Sequence, residues 1–449
     1  MDESTLGESL SVSYEERSIT LPTYPIQAYQ LDAIDPLTQW PYKIFDRDRF
    51  LAEQPKPENK TYRLIVLENK YLQLLILPEL GGRLWQINHK SSGNRLFYQN
   101  RVVKPSPWGP GNQLGWLALG GLEWNLPVIE HGYDWGTEWQ VSAIQHSPDL
   151  ASVMLETPLD GRALHAAITI WLQADMASVI VQPKIRNVSD QALDFDYWQT
   201  AMLAPGPENA PSSALQFILP STEVMVHSTG DPALPPSGER MSWPSHQNRN
   251  LSRLGNWEDY LGLFEYPSAQ GPFVGVYDGS YNAGGVRIYP AKIVRGSKIF
   301  GLGWGKALSS DYFTDDGSAY VELHGGLAPS FFEQARLARG EHIEWRESWY
   351  PVQGIGGISY ANEIAAIHLS HVNSVLTVGL YAVLPIEGWL VVSTQDINND
   401  VAVARQPVRF GPTMPLNSII TNIERADSAS IAVRLEDNRG QVLLETALR

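Results

Sequence analysis

The chain contains no cysteine in 449 residues. Disulfides, thiolate nucleophiles and thiolate metal sites are therefore excluded, while the redox compartment stays open. Basic residues are scarce: 33 Lys and Arg stand against 49 Asp and Glu, a net charge of −16. Binding nucleic-acid phosphates needs clustered cations, and no basic stripe occurs, so a nucleic-acid partner is not expected. No apolar run approaches bilayer length, and the opening MDESTLGESL has neither a basic start nor an apolar stretch. A cytoplasmic protein without a membrane partner is the expectation. Helical signals are missing too, since no periodic segment of three or more turns can be found. Gly301–Lys306 (GLGWGK) lacks the spacing of a phosphate loop and the following Ser or Thr. Asp311, Asp315 and Asp316 match no calcium loop, so neither metal nor cofactor is expected.

Large aromatic rings are abundant. Fifteen Trp and 19 Tyr in a chain only 43% hydrophobic place many rings near polar groups, which suits a ligand with apolar faces and hydroxyl edges, such as a sugar. The densest stretch is Gly120–Trp139, GGLEWNLPVIEHGYDWGTEW, which carries Glu123, Asn125, Glu130 and His131 among three Trp. On a strand, Glu123 and Asn125 share one face and Trp124 points away. A polar-ligand pocket wall and a packed β-segment with satisfied polar groups are both compatible with this pattern.

Elsewhere the chain reads as short strands. TYRLIVLEN and YLQLLILP are adjacent buried strands. PELGGRLW puts two glycines before Arg83 at a strand start, free to bind a ligand or to form an internal ion pair. Residues 141–197 form a meander, in which alternation sets Asp194, Asp196 and Trp198 on one face. Residues 204–258 are rich in Pro, Ser and Asn, carry Trp243 and Trp257, and read as a lid-like insertion. Alternation in Tyr320–Gly326 places Tyr320, Glu322 and His324 on one face, with Val321 and Leu323 toward a core. The length calls for more than one core. After the Gly-rich break at 354–357, evenly spaced strands predict a small β-sandwich over 358–449, leaving 1–352 as the larger unit.

Taken in order over about residues 15–352, PELGGRLW, GGLEWNLPVIEHG, DYWQT, MSWP, SKIFGLGWG, TDDGSAYVELHGG and ESWYP resemble the galactose-mutarotase-like superfamily, and within it the domain-of-unknown-function 5107 branch. The resemblance implies an all-β supersandwich followed by an Ig/fibronectin-like sandwich, with a sugar in a concave cleft. GGLEWNLP…HG is also similar to the active-site segment of sugar-phosphate epimerases. Carried over, His131 is an acid or sugar ligand, Glu322 falls where those epimerases keep their base, and Arg83 falls where they bind substrate. Glu123 replaces an apolar residue of that motif and adds a third catalytic candidate. Trp124, Asn125, Trp135, Asp196, Trp198, Trp243, Trp304 and His324 are the remaining candidate sugar ligands. Three functions stay open: acid–base chemistry at an anomeric carbon of the aldose 1-epimerase kind, glycoside hydrolysis by Glu123 and Glu322, and sugar binding without turnover.

Overall fold

A computed structural model describes residues 11–107, 113–396, 399–421 and 430–448. The ten N-terminal residues discussed above lie outside the described residues. Among those described, strands dominate, and the one α-helix is the two-turn Arg47–Glu53, capped by the Asp46 carboxylate accepting from the Arg49 amide. The all-β reading holds. Among the described residues, a 12-stranded sheet and a 9-stranded sheet dominate the first part, with three two-stranded sheets beside them, all named pairs being antiparallel. One continuous apolar core joins residues of both sheets. A buried polar clamp also crosses between them. Arg287 and Glu347 belong to the 9-stranded sheet and are linked at 2.6 and 2.9 Å, while Arg287 also donates to the His324 carbonyl of the 12-stranded sheet at 3.3 Å. The layers are thus a sandwich of large sheets.

Six strands of the larger sheet position the site. They are β1 (Gly121–Asn125), β2 (Trp198–Gly206), β3 (Glu223–Thr229), β4 (Leu261–Glu265), β5 (Gly296–Gly301) and β6 (Val321–Gly326). Their spatial order is β1, β2, β6, β5, β4, β3. Residues 141–197 do form the expected meander, from Gln140–His146 through Val179–Asn187. Residues 204–258 do not stand off as a lid. They contribute β3 and the neighbouring strand Arg240–Ser242 to the large sheet, and Trp243 and Trp257 are buried in its core. Scarce periodicity there reflects strands of two to four residues around β3, whose own register shifts after Val226.

The described residues of 360–448 form two four-stranded sheets around a separate core that includes Ile367, Leu376, Leu390 and Val433. A further cluster, with Tyr277, Tyr350, Ile355 and Tyr381, holds residues from both parts of the chain.

Candidate active site

Sheet register brings the polar residues together. Directly opposed residues on neighbouring strands share a face. Glu123 opposes Thr200, Thr200 opposes His324, and His324 opposes Lys298, so one polar row runs across β1, β2, β6 and β5. Two residues along, Met202, Glu322, Phe300, Gly262 and Ser228 make the next row on the same face. Over this face folds the loop that follows β1. Gly132 (φ +61°) turns it, and a Cβ there would overlap the Leu126 backbone, so only glycine fits. That turn lays His131 over the sheet, stacked on Trp116 with ring centroids 3.6 Å apart.

A cavity of about 370 Å³ lies between loop and sheet, near the lower bound of small-molecule sites, roughly 300 Å³. Its chemistry comes from His131, Glu322, Glu130, His227 and Lys298, and its apolar wall includes Trp116, Phe300 and Tyr320. Gly262 makes room for this arrangement, because a Cβ there would sit 3.0 Å from His227 Nδ1.

Three linked pairs set the charges. Glu123 accepts from His131 Nδ1 at 2.8 Å and is backed by the Arg83 guanidinium at 3.5 Å. Burial disfavours the imidazolium, but Glu123, Glu322 and Glu130 outweigh it and raise the His131 pKa above its usual 6.5. Glu322 is hydrogen-bonded to His324 Nε2 at 2.7 Å. Its carboxyl is raised above the ordinary 4.5 chiefly by burial, with Lys298 and His131 pulling the other way. Glu130 pairs with His227 Nε2 at 3.2 Å. Burial there is overcome by His227, Lys298 and His131, which hold Glu130 well below the carboxylate range. Burial, then Lys298 and His131, depress the His324 pKa far below 6.5 and favour its neutral form.

Behind Glu322 a chain of bonds fixes the ring. His324 Nδ1 meets the Thr200 hydroxyl at 2.9 Å, and Asn125 Nδ2 donates to the same oxygen at 2.7 Å. Lys298 Nζ lies 3.3 Å from His324 Nε2, flanked by the Phe300 and Phe331 rings.

Of the residues singled out from sequence, His131 and Glu322 face the cavity, while Glu123, Asn125 and His324 stand directly behind them. Arg83 does not face it. Wholly buried, it donates to the Leu80, Gly120 and Trp135 carbonyls, so the strand-start position leads inward beneath Glu123. Trp124 is buried with its indole N–H on the Gly82 carbonyl. Trp135 faces a different cavity, near Lys43, Lys60 and Glu79. The chain breaks regular alternation between Phe195 and Trp198, which separates the three residues expected on one face. Asp194 meets Arg336 at the surface, Asp196 is buried against Gln334, and Trp198 packs with Phe264 and Phe331. Trp243 is core, and Trp304 is 46% exposed and does not line the cavity.

Lys298, His227 and Trp116 join the site from outside the candidate set read from the sequence, and Glu130 stands in the aromatic stretch with no role assigned by it. Lys298 alone left a trace, a lysine alternating with Phe300 in the apolar run SKIFG.

The family model described as "Domain of unknown function (DUF5107)" matches residues 34–352. A TPR-domain containing protein from Parabacteroides distasonis has a similar structure, with a TM-score of 0.61 at 20% identity over 76% of this chain and 55% of that one. This chain thus spans little more than half of that protein's length, and the likeness is one of fold. The Slr1438 protein of Synechocystis sp. PCC 6803 matches with a TM-score of 0.48 at 15% identity, over 65% of this chain and 96% of its own. A galactose mutarotase-like protein from Clostridium acetobutylicum matches with a TM-score of 0.45 at 12% identity, over 65% and 96% respectively.

Proposed function

The chain belongs to the DUF5107 family, and from that premise we propose that it is a carbohydrate-active isomerase, interconverting the anomers of an aldose by acid–base catalysis. The observation that carries this reading is the pairing of His131 and Glu322 on one cavity, with Glu123 bonded to His131 Nδ1 and favouring its cationic form. Glu322 takes the proton of the anomeric hydroxyl while His131 gives a proton to the ring oxygen. The C1–O5 bond breaks, C1 becomes an aldehyde, rotation about C1–C2 presents its other face, and closure returns both protons. Burial makes Glu322 a stronger base than a free carboxylate, and the Glu123 pair favours the loaded form of the acid. Trp116 offers an apolar face to the ring. Glu123 spends its oxygens on His131 and Arg83, which argues against its acting as half of a glycosidase pair with Glu322.

The test follows purified α and β anomers of common aldoses by NMR with wild type, Glu322→Gln and His131→Asn. Wild type accelerates interconversion, and each variant loses roughly 10²–10⁴-fold while retaining sugar binding. Binding without any acceleration by wild type would instead make the protein a sugar-binding module.

A further inference from the structure

Lys298 lines the cavity without a part in that reaction, and its surroundings suit an amine better than an ammonium. The residue is 2% exposed. Among the described residues it makes no ion pair, while the three carboxylates of the site are each taken by a histidine: Glu123 by His131, Glu130 by His227 and Glu322 by His324. The Phe300 and Phe331 rings lie 5.3 and 4.9 Å from Nζ, in place of water. Ring faces attract a cation weakly, and the hydration lost by an unpaired buried ammonium outweighs that attraction. Burial accordingly lowers the Lys298 pKa, with Glu130 and Glu322 opposing it. The hydrogen bonds point the same way. His324 Nε2 meets both Glu322 Oε2, at 2.7 Å, and Lys298 Nζ, at 3.3 Å. With Glu322 ionised, as ring opening requires, the single Nε2 proton goes to the carboxylate, and only the lone pair of an uncharged amine can face that N–H.

We propose that Lys298 is a nucleophile that captures the open-chain hydroxyaldehyde form of the sugar as an imine at C1. The inference rests on the reading of the cavity as an aldose site, in which Glu322 holds the anomeric proton once the ring is open. A desolvated lysine amine beside an aldehyde is the usual origin of such an intermediate. The Nζ lone pair forms the bond to C1 as the carbonyl π bond breaks, and the oxygen recovers the proton that Glu322 had taken. Glu322 then takes a proton from the nitrogen and gives it to that oxygen, which leaves as water while the C=N bond forms. Amine, aldehyde and the proton carried by Glu322 thus yield a protonated imine and water, with no change of oxidation state. Addition of water reverses the sequence. The imine cation stands near ionised Glu322, since carboxylate and amine share contact with one imidazole nitrogen.

Glycolaldehyde is the probe, a hydroxyaldehyde too short to close a sugar ring, so its capture does not depend on ring opening by the protein. Wild-type protein is exposed briefly to glycolaldehyde and sodium cyanoborohydride at about pH 7, with and without urea. Cyanoborohydride delivers hydride to the imine carbon and fixes the C–N bond, and the resulting hydroxyethyl-lysines are located by peptide mass spectrometry. Mutarotation of aldoses is followed by NMR on the same preparation. At this pH an exposed lysine, with a pKa of about 10.4, is a free amine in fewer than about one molecule in a thousand. Lys298 is expected to be modified at least about tenfold faster than Lys306, whose side chain is 87% exposed, and to lose that lead in urea. A buried structural ammonium would instead be slower than Lys306 until the chain unfolds. A lead smaller than about tenfold, or modification of Lys298 only in urea, overturns the proposal. Mutarotation without the Lys298 adduct removes only this inference, and the adduct without mutarotation removes only the earlier reading.

Discussion

At the scale of single residues, the site is a set of buried charges whose neighbours decide which ones are ionised. Interconversion needs Glu322 ionised and His131 protonated. The rate therefore rises with pH through the Glu322 pKa and falls through that of His131, and both limbs lie to the alkaline side of the free groups' 4.5 and 6.5. Glu123→Gln removes the largest influence opposing burial of the imidazolium, so the alkaline limb moves to lower pH. A kcat/KM profile checks this, and an unmoved limb would mean that Glu123 does not set the protonation of His131. Glu265 offers a stability test away from the cavity. It is 1% exposed, and burial pushes its carboxyl up to about 7. Between pH 4.5 and 7 the folded chain keeps a proton that the unfolded chain has released, so this group's contribution to stability falls as pH rises through that window. Glu265→Gln is expected to flatten the dependence by on the order of 3 kcal/mol, read from urea midpoints at pH 5 and pH 8. An unchanged slope would show that Glu265 does not carry it.

Legibility at this scale depended on sequence distance. Glu123 and His131 lie eight residues apart in one aromatic stretch, and their kinship could be read there. Lys298 and His227 meet Glu322 and Glu130 only through the order of β6, β5, β4 and β3, which no local pattern records. Arg83 could not be placed either, because its inward course depends on the Gly120 and Trp135 carbonyls of a segment about 40 to 50 residues away.

At the scale of elements, β6 is held close to the facing sheet by a glycine. A Cβ on Gly325 would overlap the Arg287 guanidinium, which Glu347 and the His324 carbonyl lock in place, so the cation cannot step aside. Overpacking of a rigid core typically costs about 1–3 kcal/mol and more where nothing can move. Gly325→Ala is accordingly expected to lose at least about 3 kcal/mol by chemical denaturation. A loss under about 1 kcal/mol would mean that the clamp yields. Gly325 and Gly326 were visible in the sequence as a pair ending a strand, but their reason, Arg287 for one and Trp198 for the other, lies on other strands. The long alternating strands were legible because period-two burial repeats over several residues. The short strands of 204–258 were not.

At the scale of the whole molecule, we propose that residues 1–352 and 358–449 are two units with separate cores that share a buried seam. The seam runs through the Gly-rich break itself: Ile355 is 1% exposed, and the Gly356 amide donates to the Tyr277 hydroxyl at 3.0 Å. The segment is therefore expected to resist limited proteolysis, although its composition reads as a linker. A chain ending at residue 352 should still fold, but with Tyr350 exposed it should melt several degrees lower and self-associate. Rapid cleavage at 354–357 with both fragments unaltered in stability would show the seam to be unimportant.

The most direct measurement is the position of a bound sugar. In a complex of Glu322→Gln with an aldose, the ring oxygen is expected within roughly 3 Å of His131 Nε2 and the anomeric hydroxyl at the same reach of the residue 322 side chain. A sugar seated in the cavity with C1 and O5 turned away from both groups, toward solvent, would contradict an anomeric chemistry for this site.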